Sequence, residues 1–402
     1  MATLHPFRAV RPTPEKAIEV ACVPYDVLNT SEASGLAAGK PLSFLHVIRP
    51  EIDLPPGTDE YADEVYAKGA QNLSHYIQGP YSIQETDPSL YVYRLIMDGR
   101  AQTGVFGCVS VKDYDDNVIL KHELTRPSKE DDRTRHIIEQ SAHAEPIMLT
   151  FKDDAKVSAI IAKTMLSDAL YDLTAPDGVQ HTIWTVSEPK ELENAFSSIS
   201  NLYVADGHHR CKAASRAVEA LGGSDDPSKE VNYFPAVLFP MGDMAILAYN
   251  RVIKKLPGSS ADFLSDLKSR FDVKSVTDPV PTKKGDICIF LENQWFAITL
   301  PEATTDSVVD SLDVGRLTDS ILKPMLNIHD PRRDYNIDFV GGIRGTSELE
   351  LLVRSGACQM AISMYPTSIE ELVHVSDAGL LMPPKSTWFE PKLRSGLLVH
   401  VF

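Results

Sequence analysis

Between residues 60 and 77 apolar and aromatic positions recur at helical spacing. Tyr61, Val65, Tyr66, Leu73 and Ile77 share one face and predict an amphipathic helix after the loop-forming stretch EIDLPPGTD at 51–59. The pattern then changes. Residues 89–97 and 101–111 are apolar runs joined by Asp98-Gly99-Arg100, and an Asp-Gly turn between such runs predicts a β-hairpin. A strand near 118–120 continues it. A charged helix follows at 128–141, opened by Pro127-Ser128, then a second at 156–173. A strand at 182–186 and a helix at 191–199 come next. The apolar strand 202–205 runs into Asp206-Gly207-His208-His209-Arg210, and an alanine-rich helix at 211–221 ends on Gly222-Gly223. Two strands, 234–238 and 245–253, close this region.

From Pro257 the texture differs. A helix at 262–271 precedes a second hairpin, 286–290 with 295–300, around Glu292-Asn293-Gln294. Helices at 313–326 and 347–356, a strand at 359–364, a helix at 368–375 and a strand at 397–402 complete the chain. This alternation implies a mixed α/β or α+β fold. The expected organisation is a main unit over 1–256, a smaller α+β unit over 257–370, and a C-terminal segment, 371–402, that returns to the main site. No internal repeat or low-complexity segment is visible.

Hydrophobic residues make up 43% and charged residues 24%, the balance of an ordinary globular chain with a sizeable core. No apolar run approaches the ~20 residues of a membrane span. The start, MATLHPFR, lacks a basic stretch followed by an apolar one, so no signal peptide is read there. A cytoplasmic protein without membrane partners is expected. The net charge of -17, from 56 acidic and 39 basic residues, opposes nucleic-acid binding and favours a small-molecule substrate. An anionic substrate would need a few placed Arg, Lys and His residues and a metal ion. Five scattered cysteines, with no C-x-x-C, suggest neither a disulfide framework nor a zinc site; Cys211 stands out because it directly follows Arg210.

The 206–210 box carries the most chemistry. Gly207 permits a tight bend, and a helix N-terminus is a ready anion site. His208, His209 and Arg210 add donors, and Arg suits bidentate phosphate contacts. Asp206 is placed to bind Mg²⁺ or orient a histidine. A plain helix cap would use the same residues. In the second segment, KHELTRPSKEDDRTR at 121–135, His122, Glu123, Thr125 and Arg126 are read at a strand end facing a cleft, with Glu123 as candidate base and Arg126 and Lys129 for phosphate. A solvated helix laced with ion pairs competes with that reading. The third segment is the loop MPPKST, in which Lys385, Ser386 and Thr387 resemble an anion-binding turn. The fourth is Pro24-Tyr25-Asp26, which offers Asp26. Neither H-E-x-x-H nor G-x-x-x-x-G-K-[ST] occurs, so zincin and P-loop readings lack support.

Five stretches, LHPFRAVRP, PYDV, HELTRPSKEDDR, YVADGHHR and SDAGLLMPPKSTWFEPKLRSG, resemble in order a prokaryotic family known as domain of unknown function 1015. The box is also similar to the Asp-Gly-x-His-Arg signature of the ParB/sulfiredoxin-like superfamily. That superfamily includes a nuclease or CTPase-like branch, sulfiredoxins and kinases of free serine. The resemblance implies a ParB/sulfiredoxin-like core around the box. It also implies that Asp206, Gly207, His209 and Arg210 bind phosphate or its metal, with His208 at the variable position. Sulfiredoxin chemistry needs a cysteine inside the turn, whereas Cys211 falls after the arginine. A DNA-partitioning role fits poorly with the charge. What remains is phosphorylation of free L-serine, with a phosphorylated donor (ATP, ADP or pyrophosphate), Mg²⁺, and Glu123, then Asp206, as base; His209 joins them as a catalytic candidate. A phosphate-compound hydrolase at the same site and a non-catalytic nucleotide-binding protein are the alternatives, and the oligomeric state, homodimer included, stays open.

Overall fold

The computed structural model describes residues 1–223 and 226–402. It is a mixed α/β protein with mixed sheets, divided into two compact units. The first unit comprises 1–121, 125–244 and 391–402; the second comprises 122–124 and 245–390. These limits differ from the expected ones. The boundary falls at 244/245 rather than 256/257, because the strand starting at Tyr249 pairs within the second sheet. The returning segment is 391–402, not 371–402. Residues 122–124 group with the second unit, where the Met382 N–H donates to the His122 carbonyl at 2.7 Å.

The large sheet of the first unit contains β1 (Leu4–His5), β2 (Tyr91–Met97), β3 (Arg100–Ser110), β4 (Ile119–Leu120), β5 (Ile147–Phe151), β6 (Tyr171–Thr174), β7 (Gln180–Thr185), β8 (Leu202–Asp206) and β9 (Tyr233–Pro240). Its order is β4-β8-β5-β9-β3-β2-β7-β6, with β1 paired to β3. β8 runs parallel to β4 and antiparallel to β5, while β5 and β9 are parallel. Asp98 and Gly99 both have positive φ, 52° and 78°, as the expected hairpin requires.

Three helices of this unit bear on the site: α1 (Asp63–Gln78), α2 (Pro127–Gln140) and α3 (His208–Ala220). Pro127 opens α2 at a position where its missing N–H costs nothing. On α3, Ala213 and Ala217 are fully buried with Ile137 of α2, and their small side chains let the two helices approach closely. Cys211 and Ala214 of α3 belong instead to the sheet core with Leu149, Val204 and Phe234.

Two expected elements change. The helix expected over 156–173 ends at Thr164, and Tyr171–Thr174 is strand β6. Pro176-Asp177-Gly178, with Gly178 at φ 83°, turns that strand back onto β7. The helix expected over 211–221 starts three residues earlier, at His208.

The second unit has a six-stranded antiparallel sheet: β10 (Tyr249–Ile253), β11 (Lys274–Val276), β12 (Asp286–Leu291), β13 (Gln294–Thr299), β14 (Ile337–Gly341) and β15 (Met360–Met364), in the order β11-β13-β12-β15-β10-β14. Phe290, Trp295, Leu349 and Ala361 form part of its core. The helix expected over 313–326 widens to π form at Thr318–Leu322, just before Pro324, which has no N–H to offer the carbonyl one turn back. Among the described residues, no helix is long and apolar enough to cross a membrane.

Candidate phosphate site

The site of the first unit is built where β8 meets α3. The register of β8 against β5 shifts between Val204 and Asp206, so Ala205 is an extra residue, and such a bulge re-aims the side chain that follows. Gly207 then takes φ 103° and ψ 29° as the N-cap of α3, with no side-chain cap. His208, His209 and Arg210 are therefore the first helical turn. Their peptides contribute to the positive end of a 13-residue helix.

Arg210 is the centre of the arrangement and is 7% exposed. Its Nη1 donates to the Pro146 carbonyl. Its Nη2 lies 3.8 Å from Asp26 Oδ2 and 3.7 Å from Asp206 Oδ2. Burial alone would ease the proton off this guanidinium, but Asp26, Glu145 and Asp206 together hold it more firmly than usual. Lys392 Nζ donates to Asp206 Oδ2 at 3.4 Å. Burial pushes the Asp206 carboxyl up, yet Lys392 and then Arg210 outweigh that and keep it well below the usual carboxylate range. Asp206 is thus a firmly ionised carboxylate, and its side chain stays 27% exposed.

The other expected residues separate into two groups. Thr125 and Arg126 belong to the first unit. The Thr125 hydroxyl donates to Glu130, which also receives Arg216 at 3.2 Å, so it braces the start of α2. The Arg126 N–H donates to His209 Nε2 at 3.1 Å, which places the His209 ring proton on Nδ1. In this arrangement His209 ties the α2 entry to the α3 entry. His122, Glu123, Lys385, Ser386 and Thr387 belong to the second unit. There His122 Nε2 lies 3.4 Å from Thr387 Oγ1, and the Lys385 ammonium sits 5.5 Å from the Tyr249 ring centroid. Lys385 has φ 58°; its carbonyl accepts from Arg251 at 3.0 Å, and the Ser386 hydroxyl donates to the Pro383 carbonyl at 2.6 Å. Internal bonds of this kind make 383–387 a stapled turn.

Two further candidates, Lys392 and Glu145, carry no local sequence signal: Lys392 sits in PKLRSG and Glu145 in HAEP, neither of which has a pattern that marks a site. Two carboxylates, Asp26 and Asp206, converge on the one Arg210 guanidinium, and Asp206 is held ionised.

Cys211 is fully buried, and its burial pushes the thiol up to about 12 against the opposing pull of Arg210 and Lys121. All five cysteines are free and buried. Iodoacetamide applied to native protein near pH 8 is expected to label none of them. Mass spectrometry showing Cys211 modified at the rate of an unfolded control would contradict this packing.

A model of the family described as "Protein of unknown function (DUF1015)" matches residues 4–315. No curated protein matches the chain. Among solved structures, it is similar to a free serine kinase in complex with AMP, at 13% identity over 73% of this chain and 92% of that one, with a TM-score of 0.35. It is similar also to a conserved hypothetical protein from Pyrococcus furiosus, at 13% identity over 73% and 95%, with a TM-score of 0.35. A third is SbnI with C-terminal truncation from Staphylococcus aureus, at 13% identity over 74% and 87%, with a TM-score of 0.34.

Proposed function

The chain belongs to the DUF1015 family over residues 4–315, and from that premise we propose that it is a small-molecule phosphotransferase whose phosphate site is the β8–α3 junction. The supporting observation is the buried Arg210 held between Asp26 and Asp206 at the uncapped N-terminus of α3, with Lys392 on Asp206. Phosphoryl transfer is mainly positioning plus charge stabilisation, and this junction supplies both. The first-turn N–H groups and Arg210 orient the phosphate. Lys392 and Arg210 keep Asp206 ionised, and Asp206, with Asp26, would hold Mg²⁺. The chemistry supplied by such an ion would be neutralisation of phosphate charge beside Arg210. His209 holds the Arg126 peptide and so fixes the entry of α2 beside the box.

The acceptor is assigned as free L-serine, which the similarity of the box to the superfamily of free-serine kinases implies. Glu123 is assigned as the base that takes the serine hydroxyl proton. Phosphorus NMR of the purified chain with Mg²⁺, L-serine and, in turn, ATP, ADP and pyrophosphate tests this directly. O-phosphoserine with one donor is the expected result. Inorganic phosphate released equally with and without serine would mean a hydrolase, and no product with any donor would overturn the phosphotransferase reading.

A further inference from the structure

Glu145 is 8% exposed, its carboxylate accepts hydrogen bonds from two separated pieces of the chain that carry the site, and it shares a cavity with a third, Arg210. Its Oε1 accepts the Tyr25 N–H at 3.0 Å, one residue before Asp26. The same oxygen accepts the Ser395 hydroxyl at 3.4 Å, three residues after Lys392. Cys22 and Ser395 also exchange backbone hydrogen bonds at 3.2 and 2.9 Å, so the two pieces are locked side by side. Glu145 and Arg210 line one cavity of about 30 Å³, together with Arg133. Arg133 Nη1 lies 3.8 Å from Glu145 Oε2, and its guanidinium stacks 4.0 Å from the Tyr25 ring centroid. The second anchor of Arg133 is Asp132, at 2.8 Å, which itself accepts the Tyr66 hydroxyl at 3.1 Å. Burial raises the Glu145 carboxyl, and Arg210 and Arg133 work against that rise.

We propose that Glu145 is the positioning residue of the phosphate site, the clamp that sets Asp26, Lys392 and Arg210 at their mutual distances. It rests on the phosphotransferase reading for its consequence, though not for its geometry. Glu145 does not touch the phosphate; it acts through Arg210, which orients the phosphate, through Asp26, a proposed metal ligand, and through Lys392, which pairs with the other, Asp206.

The sign of one measurement separates this role from mere charge balance. A carboxylate near a phosphate site repels the ligand, so removing its charge alone would tighten phosphate binding. Removing a clamp loosens Arg210 and Asp26 and weakens it. Calorimetric titration with Mg²⁺-pyrophosphate is therefore expected to give at least ~10-fold weaker binding for Glu145→Gln, corresponding to ~1.4 kcal/mol. Glu145→Asp, one methylene shorter, should show a smaller loss in the same direction, and it carries the test if the glutamine variant does not fold. The core variant Ile161→Ala should lower Tm without changing affinity, which controls for general destabilisation. Unchanged or tighter binding by both Glu145 variants would overturn the proposal. If the wild type binds no pyrophosphate, the phosphate reading fails, and the clamp is then judged by a crystal structure of Glu145→Gln. Separation of Asp26 from Arg210 supports it; retention of the 3.8 Å approach overturns it.

Discussion

Asp206→Asn and Glu123→Gln are expected to disable turnover in different ways. Asparagine at 206 removes the ionised carboxylate proposed to hold the metal and leaves Lys392 and Arg210 without their shared partner. Donor affinity and turnover should fall together, with turnover lowered by ~10²–10³-fold, the usual cost of one charge-stabilising group. Glu123→Gln should keep donor affinity and lose ~10²–10⁴-fold in kcat, as expected for a general base. If donor binding falls with kcat in Glu123→Gln, the base assignment is wrong. Acid unfolding adds a readout that needs no substrate. The Asp206 carboxyl is held below its ordinary value, so its contribution to stability is complete above the unfolded value of ~3.9 and is lost as pH falls through the lower folded one. Wild-type Tm should therefore drop more steeply below about pH 4 than that of Asp206→Asn. Parallel profiles would mean that Asp206 gains nothing from Lys392 and Arg210 in solution.

The features legible in the sequence are those whose cause is local. Asp98-Gly99 and Asn293 specify hairpin turns by their own backbone preferences and take positive φ, while Glu292 accompanies Asn293 into the same region. Gly207 next to a helix start announced a tight bend for the same reason. The fully buried strand β5, Ile147–Phe151, gave no signal, because a five-residue apolar run has neither helical nor alternating period. The site's supports were invisible for a different reason. Lys392 meets Asp206 across 186 residues, and Glu145 meets Tyr25 across 120, so no spacing rule reaches them. The boundary between the units is set by backbone pairing rather than texture: the change in composition at Pro257 comes after β10, which already belongs to the second sheet. Thr125 shows how a residue type can suggest chemistry while its bond serves structure, since its hydroxyl is turned to Glu130.

Gly207→Ala should be the most damaging small substitution at the junction. Two separate costs meet there. At φ 103° an L-residue is strained by roughly 1–2 kcal/mol. The new Cβ would also stand 3.2–3.3 Å from Nε, Cζ and Nη2 of Arg210. A loose side chain could move away from such a contact. Arg210 is instead fixed by the Pro146 carbonyl and by Asp26 and Asp206, so relief of the crowding must disturb one of those contacts. Gly99→Ala isolates the first cost, because Gly99 has φ 78° and a methyl added there would meet no heavy atom of the described residues within 4 Å. Gly207→Ala should lower Tm further than Gly99→Ala, and only Gly207→Ala should lose Mg²⁺-pyrophosphate binding. Equal loss of binding in both would mean that the junction fails through general instability; retained binding in Gly207→Ala would mean that the close placement of Arg210 against Gly207 is not what holds phosphate.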